Sequence, residues 1–252
     1  MNRQNLPETG WKPFNVKSAS VENDESLSVK LRVDRMSTSN YDQDGLSMSI
    51  SALSVAQIRS LSTTAIQSLS TTSIQSLTTT QVAAFTTTGI GAFSSTQFGD
   101  FSTTQVRALK TTQIPSINSS VSFTSGQLLV LSAQQLSVMA TAQVATFETT
   151  AIAGFNTSQI LGFSSTNLSA LDATQAGALT TTQIAAFSTT QVGGLNATDI
   201  AELDATQVGA FTRTQVVRLG TESVAAFDTT QIAAIAPTVL QALRQGRIGK
   251  AA

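Results

Sequence analysis

The stretch Phe187-Ser188-Thr189-Thr190-Gln191-Val192-Gly193-Gly194, followed at once by Leu195, decides how the chain folds. Ser188 is an N-cap residue type, and Gln191 stands three positions later. At that spacing each side chain satisfies a backbone donor that would otherwise be orphaned at a helix start. Phe187 before the cap and Val192 after the glutamine occupy the two positions of a hydrophobic staple. Two units later, Leu203-Asp204-Ala205-Thr206-Gln207-Val208-Gly209-Ala210 repeats the arrangement with Asp204 as cap and Gln207 as its partner.

Working outward, Leu, Phe, Ile or Met anchors recur every eighth residue from Leu53 to Ile117 and again from Phe123 to Ile235. That makes eight full units over residues 53–116 and 14 over 123–234, too regular a series to arise by chance. The second apolar series, with Val192, Ile200, Val208 and Val216, sits five residues after the anchors Phe187, Leu195, Leu203 and Phe211, and three before the next anchor. A continuous helix would smear this stripe, because eight residues at about 100° each overshoot two turns by roughly 80°. A chain that breaks at each cap keeps the apolar pair, three apart, on one helical face.

The sequence therefore predicts an all-α solenoid of very short, self-capped helices with an eight-residue repeat. One such helix is unstable alone, so stacking must hold it. The alternative is a β-solenoid, since Thr, Val, Ile and Phe also suit strands. Small pairs such as Ala185-Ala186, Gly193-Gly194 and Gly209-Ala210 precede anchors, where they would let neighbouring segments approach closely. Thr at the second helical position, as in Thr64, Thr80 and Thr104, reads either as a hydroxyl bonded to an adjacent turn or as an exposed ladder.

Composition and irregular segments divide the chain. Residues 1–45 hold 13 of the 29 charged residues, with the only Trp, Trp11, and the only Tyr, Tyr41, and read as a charged head or partly ordered cap. Trp11, Phe14 and Tyr41 are its candidate docking residues. Residues 46–117 form a first repeat block, 118–122 a register break beside Pro115, 123–235 a second block, and 236–252 a helical cap and tail opened by Pro237. Asp and Glu near helix starts, such as Asp199 and Asp204, oppose the dipole and need no catalytic role.

The 252-residue chain has no His and no Cys, which removes disulfides, thiolate or imidazole metal sites and Ser-His-Asp hydrolysis. No phosphate loop and no calcium loop occurs. We therefore expect no catalytic residues, no metal, no cofactor and no enzyme activity. A net charge of -1 supplies no field for nucleic acid. No run approaches 18 apolar residues, so membrane insertion is not expected. With no secretory signal, the expected location is the cytoplasm, or the cell surface by a leaderless route.

The run Leu77-Thr78-Thr79-Thr80-Gln81-Val82-Ala83-Ala84-Phe85 and its copies resemble the Thr- and Gln-rich octapeptide tracts of large bacterial surface or secreted proteins. The resemblance implies a bacterial source and use at the cell surface, and it brings no catalytic residues. The expected function is a structural or assembly protein, a solenoid acting as scaffold, spacer or self-associating module with protein partners. One alternative is an adhesin or binding module presenting Ser, Thr and Gln arrays to a polysaccharide, a protein or an ordered surface such as ice. Another is a length-setting component of a bacterial export or appendage system.

Overall fold

The computed structural model describes residues 50–248. Within them the chain is all α, with no strand, and each cap residue starts a new helix. Seven short helices run from Val55–Arg59 to Thr103–Arg107 and 14 more from Ser125–Leu128 to Thr229–Ala234. The β-solenoid alternative fails because the cap chemistry acts at every unit. Ser188 and Asp204 sit in the extended region, with φ/ψ of -68°/158° and -77°/168°, and their side chains accept the amides of Gln191 and Gln207.

Each helix also ends by a local rule. In the unit quoted first, the Gly194 amide bonds the Gln191 carbonyl and the Leu195 amide bonds the Val192 carbonyl, both at 3.2 Å. These three-residue closures tighten the last turn. The anchor then turns extended, as at Phe187 with φ -54° and ψ 137°, and leads into the next cap. None of the described glycines needs a positive φ to make the corner.

Burial follows the eight-residue pattern. Phe187, Val192, Leu195, Ile200, Leu203, Val208, Phe211 and Val216 are all buried, and Val192, Ile200, Val208 and Val216 have no exposed surface. Successive anchors meet in the middle of the coil: the rings of Phe85 and Phe93 lie 5.3 Å apart, and those of Phe93 and Phe101 5.0 Å, both edge to face. A single apolar cluster runs from Ile50 to Leu243. The first two positions of the helices, including Thr64, Thr80, Thr104, Thr189 and Thr190, face outward, so the threonines form the exposed ladder.

The coil has a non-integral number of units per circuit. Helix Ala205–Gly209 packs on Thr229–Ala234, and Ala197–Ala201 on Thr221–Ala225, three units on in each case. Side-chain bonds reach back 28 and 31 residues, into the corner between the third and fourth units before. One circuit therefore takes about three and a half units, and successive layers are staggered like bricks.

The register break is a shortened corner. Lys110 offers no acceptor to cap a helix and Pro115 has no amide proton, so this unit folds as a turn and a 3-10 helix, Ile114–Ser116. Anchors Ile117 and Phe123 are two residues closer than the regular spacing. The stack absorbs the loss in one circuit: Gln127, Gln135 and Gln143 reach back 26 residues to Phe101, Leu109 and Ile117, and Gln159 returns to 28. Phe98, which replaces the usual Ile or Val, packs against Phe123 at 5.0 Å.

The last described element, Pro237–Ile248, buries Ala242 and Leu243 and packs on Arg213–Val216. Arg244 stands where the next cap would fall, and without an acceptor there the helix runs on for 12 residues. The head, with Trp11, Phe14 and Tyr41, lies outside the described residues, as do residues 249–252.

Val192 and Thr189 separate the two faces. Val192→Asp places a carboxylate in the apolar column and should cost at least about 4 kcal/mol, whereas Thr189→Ala at an exposed position should cost under about 0.5 kcal/mol. Chemical denaturation of both variants measures this; equal destabilisation would refute the assignment of faces.

Candidate functional site

The side chain at the third helical position does most of the polar work. Gln191 is 3% exposed. Its Oε1 accepts the Ser188 amide at 2.8 Å, which closes the capping box within its own unit. Its Nε2 donates to the carbonyls of Ile160 and Phe163 at 2.8 and 2.7 Å, in the layer before. Those are carbonyls at the end of one short helix and at the following corner, which lack partners in their own helix. One primary amide thus satisfies the start of one helix and the end of another.

Gln207 repeats the pattern, with the Asp204 amide at 2.9 Å and the carbonyls of Ala176 and Leu179 at 2.8 and 2.7 Å. Equivalent bonds to the preceding layer are made by Gln81, Gln97, Gln105 and Gln113. After the break they continue through Gln127, Gln135, Gln143, Gln159, Gln175, Gln183, Gln215 and Gln231. Among the described residues no buried side-chain nitrogen or oxygen is left without a partner.

Sequence reasoning assigned these glutamines to capping and missed their bond to the previous layer. The missed signal is the residue type. Glutamate caps as well as glutamine, but no Glu occupies this position in the repeats. A carboxylate can close the box and cannot donate to a carbonyl.

Departures keep or reverse the bond according to chemistry. Asn167 Nδ2 donates to the Met139 carbonyl at 3.2 Å, and Ser223 Oγ to the Leu195 carbonyl at 2.7 Å. Asp199 accepts the Asn196 amide at 2.7 Å and has no proton to send on. The layer before supplies one instead: Ser169 Oγ donates to Asp199 Oδ2 at 2.6 Å. Burial holds the nearby Glu202 carboxyl above the ordinary glutamate value, and repulsion from Asp199 and Asp172 pushes it further the same way.

Small residues set the layer spacing. A Cβ on Gly91 would lie 2.8 Å from the Ser116 carbonyl oxygen, and one on Gly209 2.8 Å from that of Ala234, both in the following layer. A Cβ on Gly162 would strike Ala133, and one on Gly194 would strike Ser165, in the preceding layer. The outer surface carries hydroxyls that also span layers, as between Ser125 and Thr150 at 3.1 Å.

Nothing in this arrangement assembles a reacting centre. Among the described residues no group of three or more His, Cys, Asp or Glu could hold a metal ion, and no helix is long and apolar enough to cross a membrane. The fold and its interlayer bonds define an α-solenoid repeat protein. A family model described as the ALTTAQ repeat matches residues 50–87, so the repeats are similar to a known repeat family. No curated protein and no solved structure matches the chain.

Two substitutions test the ladder. Gln191→Ala strands the Ile160 and Phe163 carbonyls and should cost about 2–3 kcal/mol. Gln191→Glu keeps the cap and loses the donors, so its stability should be better in acid, where the neutral carboxyl donates once, and should fall as the pH rises through its raised pKa. A pH-independent Gln191→Glu variant would show that the amide donors contribute nothing.

Asp199→Gln should act in the opposite direction. It restores donors facing Leu168 and Leu171 and removes a negative charge beside Glu202. Because the folded-state pKa of Glu202 is raised, the wild-type protein loses stability as pH climbs above the ordinary glutamate value. The variant should gain about 1 kcal/mol at pH 7, a melting shift of roughly 2–4 °C, and the gain should shrink towards pH 4. Thermal melts across that range decide it.

Proposed function

We propose that the chain is a non-enzymatic structural element, a scaffold or spacer whose length follows from its number of octapeptide units. The observation that supports this most is that the buried amides, the caps and the apolar pairs are all committed to joining one layer to the next. Every unit carries both halves of that joint, so circuits can be added or removed without inventing a new contact. Its partners on this reading are proteins, further copies of the chain included.

The test changes length and leaves chemistry alone. Deleting residues 132–187 removes seven whole units, about two circuits, and should shorten the stack by roughly 20 Å at helix-packing distances. Small-angle scattering checks the isolated protein, and electron microscopy of the native assembly checks whether the spacing between the attached structures shrinks with it. A spacing that ignores unit number would remove the spacer role.

A second reading rests on the outward hydroxyls. Thr and Ser at the first helical positions, continuous between layers at Ser125 and Thr150, suit recognition of a polysaccharide or an ordered surface. Attachment by such a lattice would persist at high salt, whereas electrostatic attachment would not. The same lattice is compatible with a length-setting part of an export apparatus, for which the microscopy above is the deciding measurement.

A further inference from the structure

We infer that a second copy of this chain docks head to tail on the last circuit, seating its first described helix, Val55–Arg59, on the open edge beside the terminal helix. This rests on the scaffold reading and names the partner and the surface.

The interlayer bonds have a direction. From Gln81 to Gln231 the amide nitrogens donate to the preceding layer, so the stack has an acceptor end and a donor end. At the acceptor end the last pair served is Ile200 and Leu203. Among the described residues no side-chain donor reaches the carbonyls of Val224, Phe227, Ile232 or Ile235. The terminal helix packs on Arg213–Val216 and leaves a groove lined by Val224, Phe227, Ile232, Ile235, Leu240 and Leu243. Ile232 is 43% exposed there.

The donor end carries the complement. Gln57 accepts the Ser54 amide at 2.8 Å, as its counterparts do, but no carbonyl of a preceding layer meets its nitrogen among the described residues. Leu53, Leu61 and Leu69 are only half-buried, whereas the anchors from Leu77 onward are buried, and Val55 is 36% exposed. An unused amide donor with an apolar surround faces one way, and unserved carbonyls with an apolar floor face the other. Docking continues the interface that already repeats through the molecule. Because the two surfaces differ, the contact is heterologous and does not close on itself, so it builds chains of molecules.

Sedimentation of the full chain over a wide concentration range tests this. The weight-average mass should climb past that of a dimer. Gln57→Glu keeps the local cap and loses the donor, and Ile232→Lys charges an exposed position. Each should weaken association at least tenfold while the melting temperature stays close to that of the wild type. Mixing the two variants should yield heterodimers and stop there, because each retains one competent end. A monomer at every concentration, whether residues 1–49 or another protein covers these ends, overturns the inference, as does association unaffected by both variants. The scaffold reading stands or falls separately, on whether unit deletion changes spacing in the native assembly.

Discussion

The structure depends on a glutamine amide that is buried, makes hydrogen bonds through both its oxygen and its nitrogen, and belongs to two layers at once. Helices of four to six residues, such as Thr157–Ile160 and Thr181–Ala186, consist almost entirely of ends. Nearly every backbone group in them would lack an intrahelical partner. The cap side chain takes one amide, the glutamine oxygen takes another, and local three-residue closures take those of the last turn. The carbonyls at the far end remain, and only the glutamine nitrogen of the following layer reaches them. Helix formation and stacking are therefore one event, which is how helices too short to nucleate alone persist here.

Much of this was readable from the unit around Phe187. The cap, the helical phase and the buried column all follow from contacts within five residues, where sequence spacing and distance in space coincide. The circuit is different. About 28 residues close one turn, which is not a multiple of eight, so periodicity alone does not say which carbonyl faces which glutamine. The unit at Lys110 illustrates the same limit. Its missing cap and its proline announce an irregular helix, but the way three later glutamines absorb the lost residues depends on the stagger of the layers.

The irregular positions become intelligible once that stagger is known. Ala65 and Ser73 stand where later units carry glutamine, and they lie in the first described circuit. Asp199 breaks the donor rule and is met by Ser169, a hydroxyl that supplies the missing proton. Gly162 and Gly194 look like arbitrary choices among small residues until the backbone and side chain of the preceding layer are placed against them. Each exception is compensated by the layer it touches, as expected where stability is a sum over neighbouring layers.

Such a sum has no natural end, so the length of the solenoid must be set where the repeat grammar changes. Two units lack a cap acceptor, at Lys110 and Arg244, and their fates differ for a local reason. After Lys110 the chain meets Pro115 and a polar corner, returns to a capped unit at Thr124 and goes on coiling. Around Arg244 the residues are sound helix formers with no proline among them, so the turn that began at Pro237 propagates through Ile248. Val239 meanwhile stands at the third helical position, where an apolar side chain has no proton for the carbonyls of the layer before. Loss of the cap lengthens the helix and loss of the glutamine withholds the interlayer bond. The two changes, eight residues apart or less, convert a repeating layer into a terminal one.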